Sequence, residues 1–203
     1  MKQTLLISLL VSTACLTASS QALVFADQFS GNDTQSSSSV AADHSENVFI
    51  ATLFYSQMDA DPGPGVTQLT AVGSADVALT KLSSTGDLLW DVQLGGTGFE
   101  TAKKVVTDNE GNVIICGYFH NTIDFDPSAS VYNLTATGGE DGFLAKYDAS
   151  GNFIWAYKIG SAGTEEFYGL DVDSSGNVYT MGYFQNTIDF DPGAGVTNLA
   201  AIG

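Results

Sequence analysis

The sequence predicts an all-β chain built from tandem four-stranded antiparallel units. Three observations lead there. The chain repeats itself every 65 residues without a gap. Each unit is a series of short β-branched and aromatic runs parted by turn signals. No stretch sustains the periodicity of an amphipathic helix. The landmarks of the repeat are Asn47-Val48, Asn112-Val113 and Asn177-Val178, then Asp61-Pro62, Asp126-Pro127 and Asp191-Pro192, then Gly73, Gly138 and Gly203. Residues 100–138 and 165–203 agree at 21 of 39 positions, far beyond coincidence.

Residues 1–22 read as a secretory signal. Met1-Lys2 gives a positive start, and Leu5 to Val11 is an apolar core too short to span a bilayer. Ser20-Gln21-Ala22 puts small residues where a signal peptidase reads, so cleavage is expected after Ala22. A lipoprotein cut before Cys15 is the alternative, with Ser12 standing where a Leu is usually wanted. Residues 23–34 (LVFADQFSGNDT) align with 88–99 (LLWDVQLGGTGF), so they read as a lone fourth strand.

Three units follow, at 35–99, 100–164 and 165–203. FYGLDVD (167–173) and NVYTMGYF (177–184) are first and second strands joined by Asp-Ser-Ser-Gly. DGFLAKYD (141–148) and NFIWAYKIG (152–160) are third and fourth strands joined by Asp-Ala-Ser-Gly. Glycine in these turns supplies positive φ. The unit is longer than the roughly 40–50 residues of commoner sheet repeats. The excess lies between the second and third strands, and reads as a protruding hairpin made of TIDF, a turn, and VTNL. The third unit stops after its second strand, so the chain is expected to be the N-terminal fragment of a longer protein.

Four antiparallel strands repeated in tandem is the plan of a β-propeller blade, and an N-terminal strand that completes the last blade is a common way to close such a ring. The stretch GNVIICGYFHNTIDFDPSASVYNLTATGGEDGFLAKYDASGNFIWAYKIG and its two copies resemble the bacterial secreted repeats called SBBP, for seven-bladed β-propeller. The resemblance covers nearly all of residues 23–203 and implies an incomplete, open propeller. It also implies an exported protein, extracellular or on the bacterial cell surface. Members are mostly uncharacterised, so it names no ligand. Many carry a C-terminal sorting domain that this sequence lacks. The first unit departs from the pattern, with MDADP for IDFDP and ATLF for CGYF.

Composition narrows the function classes. The chain has 23 acidic residues against six lysines and no arginine, a formal net charge of −17. Nucleic acid binding needs a basic face and is excluded on this ground, and an anionic membrane surface is disfavoured. The remaining readings are a soluble, self-repelling surface or an affinity for cations. No run after the signal is long enough for a transmembrane helix. Cys15 leaves with the signal, so Cys116 has no intrachain partner and is expected as a small buried residue on a strand. His44 and His120 are isolated, without His at the aligned positions.

Asp124 and Asp126, with Asp189 and Asp191, are the candidate site residues. Strand alternation sends Ile188 and Phe190 to one side and Asp189 and Asp191 to the other, with the paired Cα atoms about 6.6 Å apart. On one reading the apolar pair seals against the sheet and the Asp before Pro caps the turn. On another the carboxylates hold calcium, which hard oxygen ligands suit, although the complete calcium-loop spacing is absent. Carboxylate-pair catalysis is the third, and recurrence in every unit argues against it. Asp108–Asn112 and Asp173–Asn177 read as hairpin turns. Trp90 and Trp155 are expected to pack between units. Lys81 and Lys146 recur near Asp76 and Asp141 and are expected as ion pairs within a sheet or as solvated stems. The expected function is non-enzymatic binding or scaffolding, with an unknown protein or glycan and the remaining blades of the same polypeptide as partners. The alternative is a hydrolase or lyase whose active site lies in blades or a domain outside this chain.

Overall fold

The computed structural model describes residues 7–10, 23–191 and 193–202. Apart from Ile7–Leu10, the expected signal sequence, with the expected cleavage site after Ala22, lies outside the described residues, as do Pro192 and Gly203. The described residues contain strands and no helix. The N-terminal part supplies β1 (Ile7–Leu10), β2 (Leu23–Asp27) and β3 (Ser30–Gly31). The first unit supplies β4 (Gln35–Ala42), β5 (Val48–Phe54), β6 (Gln57–Asp59), β7 (Gln68–Thr70), β8 (Asp76–Leu82) and β9 (Leu88–Gly96). The second supplies β10 (Glu100–Thr107), β11 (Val113–Phe119), β12 (Thr122–Asp124), β13 (Asn133–Thr135), β14 (Asp141–Tyr147) and β15 (Phe153–Ile159). The third supplies β16 (Glu166–Val172), β17 (Val178–Tyr183), β18 (Thr187–Asp189) and β19 (Asn198–Ala200).

The first two units each form the expected four-stranded antiparallel sheet, ordered β4-β5-β8-β9 and β10-β11-β14-β15. The third contributes the pair β16-β17. Register repeats with the sequence: Val48 faces Leu82 as Val113 faces Tyr147, and Lys81 faces Trp90 as Lys146 faces Trp155. The backbone repeats as well. Glu46, Gly111 and Gly176 take φ of 63°, 78° and 82° in the first turn of their units. Ser56, Asn121 and Asn186 take 61°, 57° and 61° before the hairpin. Asp43, Asp108 and Asp173 build those first turns, each accepting the backbone N–H groups two and four residues on through Oδ1.

The second strands of the first two units, β5 and β11, are apolar at successive positions because the sheets stack and bury both faces, whereas β17 of the third is largely exposed. Phe49 and Ala51 face the second unit, while Val48 and Ile50 pack the other way. Val113 and Ile115 face the first unit, and Ile114 and Cys116 face Phe167 and Leu170 of the third. Cys116 is therefore the buried strand residue expected, and burial pushes its thiol up to about 12. Val105 is buried, and Trp155, expected to pack between units, is half-buried against the same layers, as are Leu144 and Phe153. Phe119, Phe125 and Phe143 meet at centroid distances of 5.2 to 6.3 Å. Each ring contributes about 1.5–3 kcal/mol by leaving water. Phe49 packs edge-on against Trp90, whose indole N–H donates to Ala149 O in the next unit at 3.1 Å. The edge strands β4, β10 and β16 pack against one another along one side of the stack.

One expectation needs correction. The TIDF hairpin of the second unit does not protrude, whereas in the third unit β18-β19 pairs only with itself among the described residues. β12-β13 lies back across the preceding sheet, with Ile123 facing Gly96 and Asp124 facing Gly95 of β9. β6-β7 does the same to β3, with Met58 facing Gly31 and Asp59 facing Ser30, at the positions that align with Gly96 and Gly95. β3 thus stands to the first hairpin as the end of β9 stands to the second. β2 is paired antiparallel with β1. Lys81 and Lys146 form the expected ion pairs within their units, with the turn residues Asp43 (3.5 Å) and Asp108 (2.8 Å) rather than with Asp76 and Asp141. Residues 76 and 81 are an odd number of places apart on β8, so their side chains leave opposite faces.

Candidate functional site

The Asp-Xaa-Asp-Pro hairpins use their carboxylates on their own backbone. Asp124 Oδ1 accepts the N–H of Asp126 (3.0 Å) and of Tyr132 (2.8 Å), and Asp126 Oδ1 accepts the N–H of Ser128 (2.9 Å). In the third unit Asp189 accepts from Asp191 (3.0 Å) and Thr197 (2.7 Å), and Asp191 from Gly193 (2.7 Å). Asp59 and Asp61 repeat the scheme in the first. The N–H groups of Thr197 and Asp191 hold the Asp189 carboxyl below its ordinary range. The alternation expected at Ile188 and Phe190 holds, with Ile188 buried and Phe190 half-buried, and the corresponding Ile123 and Phe125 are fully buried. Among the described residues no three His, Cys, Asp or Glu side chains converge as metal ligands do.

Buried acids mark the junctions between units. Asp76 and Glu100 are fully buried and bracket the Gly95-Gly96 peptide. Asp76 Oδ2 accepts from Gln93 (2.5 Å) and lies where a Cβ on Gly95 would sit, and Glu100 Oε2 accepts the Gly96 N–H (3.1 Å). The other oxygens, Asp76 Oδ1 and Glu100 Oε1, meet no partner among the described residues. Burial pushes Glu100 up to about 8, with the neighbouring Asp76 charge adding to the effect. One unit later Asp141 and Glu165 hold the same places with better partners. Lys158 Nζ pairs with Asp141 at 2.7 Å, and Ser161 gives Glu165 both its N–H (2.6 Å) and its O–H (2.8 Å). Gln93 and Gly96 stand where Lys158 and Ser161 do.

A third group is built largely from side chains that depart from the repeat. The first strands β4, β10 and β16 each carry a bulge at the same place, which leaves Ser38, Lys103 and Tyr168 outside the ladder. Bulges re-aim side chains and cluster next to functional sites. Lys103 Nζ lies over the Tyr118 ring at 5.1 Å and the Tyr168 ring at 6.0 Å. Tyr183 stacks on Tyr168 and donates to Glu166 Oε1 at 2.9 Å. His120 lies 3.5 Å from Glu140 and packs edge-on against Phe99. Partial burial, then the charges of Glu166 and Glu140, push the Tyr118 hydroxyl up to about 12. Burial and Glu166 likewise raise the Glu140 carboxyl. Tyr168 and Tyr183 are exposed, so the cluster is open to solvent. Sequence reading noted only His120 here, as an isolated residue. The available signal was departure from the repeat: Lys103 aligns with Ser38, Glu166 with Thr101, and Glu140 with Ala75.

No family model matches the chain. Two curated proteins are similar to parts of it. One is an uncharacterized WD repeat-containing protein, L264, of Acanthamoeba polyphaga mimivirus, 31% identical over 120 residues. That match covers 52% of this chain and 9% of the relative. The other is the regulatory protein FlaEY of Caulobacter vibrioides, 27% identical over 127 residues, covering 61% of this chain and 13% of the relative. The chain therefore spans a small fraction of the length of both. It is an all-β repeat protein. Among the described residues no helix is long and apolar enough to cross a membrane.

Proposed function

We propose that the chain forms blades of an exported bacterial β-propeller of the SBBP-like type and acts as a non-enzymatic binding or scaffold module. One observation carries this reading. In all three units the repeated Asp-Xaa-Asp carboxylates hold their own loops, while the aromatic and charged departures gather in one open cluster beside the edge strands. Similarity to a WD repeat-containing protein supports the propeller plan, since such repeats form four-stranded blades. Sheets stacked with their first strands side by side fit a ring around an axis on that side.

Expression in a bacterial host tests the reading. The expected product leaves the cytoplasm, begins at Leu23, and cosediments with an envelope fraction. Tyr118→Ala should weaken that retention, and Asp126→Asn should not. Retention in the cytoplasm with Met1 intact, or release of products from an envelope glycan by the purified chain, would refute it.

A further inference from the structure

Residues that break the repeat, together with the repeated Tyr118 and Tyr183, form a cage. Lys103 and Tyr168 hold bulge positions, so their side chains stand free of the sheet ladder. The Lys103 ammonium lies against the Tyr118 and Tyr168 rings, and each of these is backed by a second ring. Phe99 stacks on Tyr118 with centroids 6.5 Å apart, and Tyr183 on Tyr168 at 6.0 Å. Among the described residues Lys103 has no salt bridge, so ring faces hold its charge. The surround is negative, with Glu140 and Glu166 near enough to act on both Tyr118 and Tyr168. Aromatic walls with an acidic rim are the chemistry that recognises organic cations, and here the space already contains an ammonium.

We propose that this cluster binds a ligand bearing a quaternary ammonium group, which enters between Tyr118 and Tyr168 as the Lys103 side chain swings out. A neutral sugar would gain ring contact but would leave Glu140 and Glu166 without the compensating charge that Lys103 supplies. Lys103 is then a built-in competitor. It lowers the apparent affinity by the fraction of time it occupies the cage. The inference rests on the reading of the chain as a binding module and gives that module a ligand class. Export and envelope retention are separate measurements, so either idea can fail alone.

The test is a titration of choline and tetramethylammonium into the chain, following the Tyr118 and Tyr168 ring resonances by NMR. Both probes should move them. Lys103→Met should tighten choline by about fivefold or more, because it removes the competitor. Tyr168→Ala and Glu166→Gln should each weaken it by about three- to tenfold. Thermal unfolding of each variant checks that the fold is kept, and Lys103→Gln replaces Lys103→Met if that variant unfolds. Cosedimentation with phosphatidylcholine vesicles separates a lipid headgroup from a soluble ligand, and the proposal stands with either source. It is overturned if choline moves no ring resonance in the wild type or in Lys103→Met, or if removing Lys103 leaves affinity unchanged or weaker. It is also overturned if cellobiose shifts the rings where choline does not.

Discussion

Glu100→Gln should make the chain more stable at neutral pH and flatten its pH dependence. Glu100 has an ordinary value of 4.5 and is held at about 8 in the folded chain. Below the lower value both states are protonated and nothing is lost. Between the two values the unfolded chain releases the proton and the folded chain keeps it, so stability falls as pH rises. The limiting slope is about 1.4 kcal/mol per pH unit. From pH 5 to pH 7 that is at most about 2.7 kcal/mol, and relaxation around the buried group brings the expected loss to about 1–2 kcal/mol. In a chain of this size each kcal/mol moves the melting temperature by roughly 2–4 °C. Gln removes the ionisation and keeps the shape, and Gln35 holds the aligned place in the first unit. Melting followed by circular dichroism between pH 5 and pH 8 is the assay. Glu165→Gln is the control. Glu165 accepts two hydrogen bonds from Ser161 and one from the Gln185 N–H, so its replacement should destabilise. Parallel pH profiles for the wild type and Glu100→Gln would refute the idea that Glu100 is folded in its neutral form.

Lys158→Gln copies the arrangement of Gln93 into the second unit and removes the ammonium from the buried Asp141. It should cost about 2 kcal/mol at pH 7, read as a lower urea midpoint, and an unchanged midpoint would mean that the pair is neutral to stability. Asp124→Ala deletes the acceptor for two loop N–H groups and should cost about 1–2 kcal/mol. If Asp124, Asp126, Asp189 and Asp191 serve only the loops, wild-type melting should be the same in chelator and in millimolar calcium. A calcium-dependent rise that vanishes in Asp124→Asn plus Asp126→Asn would assign the hairpins to the cation instead.

What the sequence made legible is local. Alternation placed Ile123 and Phe125 inside and their aspartates outside, and Asp-Ser-Ser-Gly and Asp-Ala-Ser-Gly marked real turns at Gly176 and Gly151. These follow from the pleat and from the glycine φ, which depend on neighbours along the chain. What stayed hidden is long-range. Three-residue hairpin strands dock on β9 through pairings far apart in sequence, and no short pattern encodes that partner. Lys81 pairs with Asp43 because the β4–β5 turn ends beside it, not because Asp76 is its close neighbour in the chain. The cage around Lys103 was invisible for a different reason. Aligning the units brings out what they share, such as Tyr118 and Tyr183, whereas Lys103, Tyr168, Glu140 and Glu166 are exceptions.

The docking of the second-unit hairpin on the sheet before it has a mechanical consequence. The stretch of chain that is duplicated and the piece that parts under tension are out of phase. Pulling on the second unit loads β9 of the first through Ile123 and Asp124, so the clasp must peel before either frame can slide. A cut between residues 99 and 100 would look tidy on the repeat alignment. It would sever that clasp and leave Gly95 and Gly96 bare. The natural shear line runs after the hairpin, inside the next frame.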